Sequence, residues 1–347
     1  MSNWQQFLAE QGAQYIEGQV IAFHETMADY PDLTNTISDL SHQGILSVSG
    51  ADARKFLQGQ STCDLLALAQ GASSPGAICN PKGRMLTSFQ AHINAEDEIL
   101  LAMDRALITP TLTAIAKYAA FFKTVLTDGS ADYCQLGITG PLASEALIAL
   151  FPSIPAPSHS VTDSAGNLLT CLATGLFVVI VKADHAQQMW RQLTLHLRPT
   201  GLPWWHLQMI RAGIASVTAP LSEQFVPQML NLQAIGGVSF RKGCYTGQEV
   251  VARMQYLGKL KRRTYIVNAA SDTATDASSL PSPGAEIKTV TDGKVVGTVL
   301  QAAPANASGF AMLAILREAA LDQTELLIAD QKVTVSFADL PYEIGTQ

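Results

Sequence analysis

The same succession of hydrophobic periodicities runs twice through this chain, and the repetition limits the folds open to it. In the first pass Gly44 to Gly50 alternates as a strand does, and Asp52 to Leu57 reads as a helix opening on an acidic cap. After a Gly-Ser-Pro turn, Gly76–Cys79 leads into Asn80-Pro81-Lys82-Gly83-Arg84. Met85 to Ile93 then alternates again, which predicts a hairpin around a turn-rich pentad. Ile99 to Met103 adds a third strand. Asp104 caps a segment reaching about Phe122, with Leu107, Leu112, Ile115 and Ala119 at helical spacing. From Tyr133 the pattern returns: a strand at Cys134–Thr139, a helix at Leu142–Leu150, strands at Leu168–Leu172 and Leu176–Val181, and a helix at Asp184–His196. Strand, helix, two strands and a helix, given twice, predict a duplicated α+β fold on antiparallel, ferredoxin-like sheets. No GxGxxG or P-loop argues for a doubly wound parallel one.

A chain of 347 residues exceeds what one hydrophobic core usually serves, and 48% hydrophobic residues are ample for two or three. The expected units are 1–130, 131–258 and 259–347, the first two free to interleave. The last is a small barrel, since 264–337 holds short β-branched runs (Thr264–Val267, Glu286–Thr291, Val295–Leu300, Lys332–Phe337) divided by Gly, Pro, Ser and Asp. Ser271–Pro283 reads as a polar surface connection, and residues 3 to 15 as a short helix capped by Asn3. A net charge of −7 argues against bulk attraction to nucleic acid or anionic membrane. Five cysteines, scattered and never in a CxxC pair, suggest neither a disulfide framework nor a zinc site, so a reducing cytoplasm fits. The first residues carry no basic stretch ahead of an apolar core, and no run approaches the length of a membrane span; a soluble, unexported protein is expected.

Phe240-Arg241-Lys242-Gly243-Cys244-Tyr245-Thr246-Gly247-Gln248-Glu249 places one thiol between two glycines and beside two cations. Lys242 and Arg241 would favour the thiolate. Gly243 and Gly247 would let the backbone approach a ligand or adopt positive φ. The competing reading is a buried structural cysteine beside a solvated turn, since neither a base nor a second metal ligand is adjacent.

This stretch, preceded by Gln224-Phe225-Val226-Pro227-Gln228 and Asn231 to Phe240, resembles the hallmark of the YgfZ-type folate-binding proteins. They are relatives of the glycine cleavage T-protein, a tetrahydrofolate-dependent aminomethyltransferase. The resemblance continues through Val250-Val251-Ala252-Arg253 and Gly258-Lys259, and upstream in Ser49-Gly50-Ala51-Asp52, Phe56-Leu57-Gln58-Gly59-Gln60 and Pro81-Lys82-Gly83-Arg84. It implies a ring of α+β domains around a folate-sized hole, closed by a C-terminal barrel. It also implies a folate, such as tetrahydrofolate, as cofactor, and iron–sulfur client enzymes, such as a tRNA methylthiolation enzyme, as partners, with no membrane role and no direct nucleic-acid binding. Carried over residue by residue, Cys244 and Lys242 are the functional pair. Cys244 would ligate a transient iron or cluster, or form a mixed disulfide; Lys242 would hold the thiolate's charge or meet the acidic tail of a folate. Trp205, Gln43, Arg211 and Glu249 fall at or near expected folate contacts, although Glu249 is equally placed to pair with Arg253. Arg211 departs from the resemblance, because relatives carry a carboxylate there and a guanidinium accepts no hydrogen bond from a pterin. Asp104 reads as an N-cap and His206 as a structural histidine. Two rivals stand beside this reading. One is a tetrahydrofolate-dependent one-carbon transferase. The other is direct tRNA binding through Arg241, Lys242, Lys259, Lys261, Arg262 and Arg263.

Overall fold

A capping box opens the chain: the Ser2 hydroxyl accepts the Gln5 amide, and the Gln5 side chain accepts the Ser2 amide. Helix α1 therefore runs Asn3–Glu10, with Ser2 and not Asn3 as its cap, and stops short of residue 15 because the chain enters a hairpin of β1 (Gln14–Ile16) and β2 (Gln19–Ala22). The computed structural model describes residues 2–26, 29–30, 33–69, 71–94, 98–256, 258, 260–270, 280–306 and 309–344.

Strand β3 (Thr36–Asp39) precedes the first repeat. The repeat folds as β4 (Gln43–Ser49), α2 (Ala53–Gln58), the hairpin β5 (Ser73–Cys79) and β6 (Met85–Ile93), β7 (Ile99–Asp104), α3 (Ile108–Ala119) and β8 (Val125–Asp128). Its antiparallel sheet has the order β5-β6-β7-β4-β8. Leu46, Val48 and Leu101 of the sheet bury against Phe56 and Leu57 of α2 and Ile108 and Ile115 of α3. The Asp104 carboxylate accepts the Ala106 amide at 2.8 Å and opens the turn that leads into α3, the N-cap role read from its position. Asp52 does not cap α2. Its carboxylate accepts the Lys123 amide at 2.9 Å instead, tying the start of α2 to the chain beyond α3.

The second repeat comprises β9 (Tyr133–Thr139), α4 (Ala143–Ile148), β10 (Ser160–Thr162), β11 (Leu168–Ala173), β12 (Leu176–Lys182), α5 (Ala186–Leu193) and β13 (Arg198–Thr200). Its sheet order is β10-β11-β12-β9-β3-β13, so the units interleave: β3, from the start of the chain, lies between β9 and β13. The β13–β3 pair is parallel, the exception to the antiparallel expectation.

Helix α6 (Leu202–Arg211) is buried on two faces. Leu202, Trp205 and Met209 pack between Ile45 and Leu100 of the first sheet and Leu168 and Ile180 of the second. Trp204, Leu207 and Ile210 point to a cluster shared with barrel residues Leu300, Leu313 and Ile315. After α7 (Gln248–Tyr256) come β14 (Arg262–Ala270), β15 (Glu286–Thr289), β16 (Val295–Asn306), β17 (Gly309–Arg317), β18 (Glu325–Ile328) and β19 (Gln331–Ala338). These close into a six-stranded barrel in the order β14-β17-β16-β15-β18-β19, which leaves no strand edge unpaired. Two barrel strands fall outside the four expected runs: β17, whose run Phe310–Leu316 is apolar throughout and has no alternation, and the four-residue β18. Residues 271–279 of the expected polar connection lie outside the described residues. Among the described residues no helix is long and apolar enough to cross a membrane.

Candidate functional site

Three strings that are far apart in sequence meet at the loop before α7. Its Ser239 amide donates to the Thr62 carbonyl at 2.9 Å, and its Thr246 amide donates to the Gly59 carbonyl at 3.2 Å. In return the Thr62 hydroxyl donates to the Gly237 carbonyl at 2.6 Å. Between these fastenings the Lys242 ammonium runs inward, 8% exposed, and donates to the carbonyls of Ser61 (2.8 Å) and Cys63 (2.7 Å), lying 5.2 Å from the Tyr245 ring centroid. Two charge-assisted bonds thus serve buried carbonyls, that of Cys63 also accepting the Ser61 hydroxyl at 3.3 Å. Burial pulls the Lys242 pKa down to about 8.

The third string is the turn between β5 and β6. Gly83 and Gly247 both take positive φ (+71 and +83), and a Cβ on Gly247 would stand 2.5 Å from the Asn80 carbonyl oxygen. A Cβ on Gly83 would in turn stand 2.8 Å from the Val250 side chain. The two glycines thus allow hairpin and loop to touch backbone to backbone, which fixes where α7 begins. The turn itself is held by the Asn80 side chain, which accepts the amides of Lys82 and Arg84, while Arg84 donates to the Gln224 carbonyl at 2.8 Å. Beyond the loop, Gln228 donates to the Val251 carbonyl and Asn231 to the Thr264 carbonyl, joining α7 and the barrel to the same frame.

Cys244 is the exposed thiol; Cys63, Cys79, Cys134 and Cys171 are buried. Lys242 is directed away from it and toward Cys63, whose thiol burial pushes up against the opposing charge of Lys242. The expectation that Lys242 holds a Cys244 thiolate thus meets a geometry in which the ammonium is spent on two carbonyls. Gly243 has no positive φ and a Cβ there would touch nothing within 4 Å, so neither backbone conformation nor packing calls for its lack of a side chain. Tyr245 is buried with its hydroxyl unpartnered, and burial together with the nearby Cys79 thiol raises its pKa.

The remaining expected residues do not gather at this loop. Trp205 is 1% exposed, and its ring lies on Gly137, where a Cβ would come within 2.4 Å of it. Gln43 begins β4 opposite Asp104 and is half-buried. Arg211 ends α6, exposed, with its guanidinium 5.8 Å from the Trp204 ring centroid. Glu249 is exposed on the first turn of α7, and among the described residues it forms no ion pair with Arg253. Of the basic cluster, Lys259 lies outside the described residues and Lys242 is withdrawn into the protein. His206 has a partner that the sequence did not disclose, His42, edge-to-face at 5.4 Å between ring centroids. Burial lowers the pKa of both, to about 4 for His206 and about 3 for His42.

The family model described as the GCVT N-terminal domain matches residues 33–234. The tRNA-modifying protein YgfZ of Yersinia pestis (strain Pestoides F) is 30% identical over 335 residues, covering 94% of this chain and 99% of that one. The tRNA-modifying protein YgfZ of Edwardsiella ictaluri (strain 93-146) is 30% identical over 307 residues, covering 87% and 91%. Among solved structures, the glycine cleavage system aminomethyltransferase T from Bartonella henselae superposes with a TM-score of 0.74 at 15% identity, covering 97% of this chain and 96% of that one. The two repeats and the closed barrel are therefore the aminomethyltransferase-like architecture, and this chain, with its cysteine loop seated on two distant strings, belongs to the YgfZ family.

Proposed function

We propose that this protein is a folate-binding accessory factor that supports assembly or repair of iron–sulfur clusters in selected enzymes, and through a tRNA methylthiolation enzyme supports tRNA modification. The observation that carries the reading is the presentation of Cys244: the exposed thiol of the five stands on a loop fastened to Gly59–Cys63 and to the β5–β6 turn, beside Gly243, where an added Cβ would meet nothing within 4 Å. A thiol held out on a fixed loop is suited to a macromolecular partner, and as thiolate it supplies a soft ligand for iron in transit. Lys242 is then a positioning residue. The names of the relatives, tRNA-modifying proteins, support the tRNA arm.

The folate arm rests on the family, and the side chains present fit it in part. Trp205 has no free face to stack on a pterin. Arg211 offers donors alone and so suits the glutamate carboxylates of a folate and not its ring. Gln43 and Glu249 retain accessible polar groups.

In a strain lacking the gene, wild-type protein is expected to restore methylthiolated tRNA, measured by mass spectrometry of nucleosides, and Cys244→Ala is expected to fail while accumulating normally. Full restoration by Cys244→Ala would overturn the thiol's role. Calorimetric titration with tetrahydrofolate tests the other arm: saturable binding weakened in Arg211→Glu is expected, and heats indistinguishable from dilution would remove the folate from the proposal.

A further inference from the structure

Beside the Cys244 loop, on the flank where α3 passes the β5–β6 hairpin, lies a cleft of about 170 Å³. Ile78, Cys79, Leu86, Ala114 and Ile115 line it with apolar surface, and Thr246, two residues beyond Cys244, forms part of its wall. Burial pushes the Cys79 thiol up to about 12, so this thiol is an apolar part of the lining and not a nucleophile. Gln60, Asn80, Lys117, Tyr118 and Glu223 add polar groups to the lining.

The charge around the cleft runs against that of the chain. Net charge is −7, yet Lys117 lines the cleft, Lys82 follows directly on its lining residue Pro81, and both are exposed. Arg253 stands exposed one helical turn beyond Val250, the residue that packs against Gly83 of the same hairpin, and Arg241 stands exposed in the cysteine loop. The carboxylates among them are Glu223, which already accepts the Asn80 amide at 3.1 Å, and Glu249. Phe121, just past the end of α3, the helix that lines the cleft, is 85% exposed.

We infer that the cleft and its basic surroundings receive an acidic segment of a partner protein, with one apolar side chain of that segment seated over Leu86 and Ile115. The segment would then lie against the Cys244 loop. This names the partner chemistry for the site proposed above and rests on that reading only for its purpose; docking itself needs no thiol. Charge complementarity selects an acidic partner. An apolar floor takes an aliphatic or aromatic anchor and gives a phosphate chain nothing, while the overall negative charge opposes RNA at long range, so the occupant is protein.

The test is fluorescence anisotropy with fluorescein-labelled Asp-Glu-Glu-Leu-Asp-Glu-Asp, the same peptide with Ser for Leu, and an RNA oligonucleotide as competitor. Saturable, salt-sensitive binding of the Leu peptide is expected, with roughly tenfold weaker binding of the Ser peptide, the effect of one buried apolar side chain. Ala114→Arg, which fills the cleft, is expected to weaken the Leu peptide by a similar factor. Lys117→Glu and Arg253→Glu, surface changes with little bearing on folding, are expected to weaken both peptides several-fold. Equal affinity for the two peptides, displacement by RNA at comparable concentration, or no binding of the Leu peptide would each overturn the inference. Cys244→Ala separates the two proposals. It is expected to bind the peptide as wild type does; if it also restores tRNA modification, the thiol proposal falls while the docking site stands.

Discussion

At the scale of single residues, two near neighbours in one motif serve opposite ends. Cys244 faces solvent, while Lys242 is buried and gives its ammonium to the carbonyls of Ser61 and Cys63. A lysine beside a cysteine reads in sequence as an electrostatic partner, and only the fold shows that the charge is used to fasten the loop. Lys242→Met keeps the length of the stem but removes two charge-assisted bonds and leaves the Cys63 carbonyl only the longer bond from the Ser61 hydroxyl at 3.3 Å, a loss of about 2–4 kcal/mol of unfolding free energy. Urea midpoints would register it, and faster hydrogen exchange at 239–247 would place it in the loop. Cys244→Ser, at an exposed site, is expected to shift stability by no more than about 0.5 kcal/mol. An unshifted midpoint for Lys242→Met would return the lysine to an electrostatic role.

At the scale of elements, the β5–β6 hairpin, the cysteine loop and the start of α7 form one unit because glycines let their backbones touch. Gly247→Ala would put a Cβ 2.5 Å from the Asn80 carbonyl in a residue at φ +83, so the hairpin or α7 must move. A loss of about 2 kcal/mol or more is expected in thermal unfolding. Gly243→Ala meets nothing and is expected to leave stability within about 0.5 kcal/mol while lowering restoration of tRNA modification; equal and full function in both would mean the glycine does not serve access to Cys244. The hairpin and both repeats were legible in the sequence because alternation and helical spacing are local signals. The short strands β3, β8, β10 and β13 were not: three or four residues long, they exist through pairing, β3 with β9 and β13 across the chain, and β13 contains Pro199. The site was legible in its strings and illegible in its side-chain directions. Trp205 shows why, since α6 is buried on two faces and leaves no polar stripe to tell a ligand-facing aromatic from a core one.

At the scale of the whole molecule, the two α+β units are joined by an apolar cluster around Trp205 and by histidine contacts. His92 of β6 lies 3.0 Å from the Thr170 hydroxyl of β11, bridging the sheets, with its Nε2 unpartnered. His42 and His206 join the β3–β4 turn to α6. Burial lowers all three pKa values, to about 3 for His92 and His42 and about 4 for His206. Unfolded, each would take up a proton near pH 6.5, so on acidification the unfolded state binds protons that the native state refuses. Stability is therefore full above about pH 6.5 and falls as the pH drops toward the folded values, by up to about 2 kcal/mol per histidine at pH 5. Asp39 and Asp104, whose carboxyls burial pushes up, act with the opposite sign, so the informative quantity is a difference between variants and not the raw curve. His92→Gln keeps a partner for Thr170 but cannot titrate. Its loss of stability between pH 7.5 and pH 5, from urea unfolding, is expected to be about 2 kcal/mol smaller than that of wild type. An identical pH dependence would mean that His92 takes up its proton at the same pH in the native protein as in the unfolded chain, so that burial between the sheets does not keep it neutral.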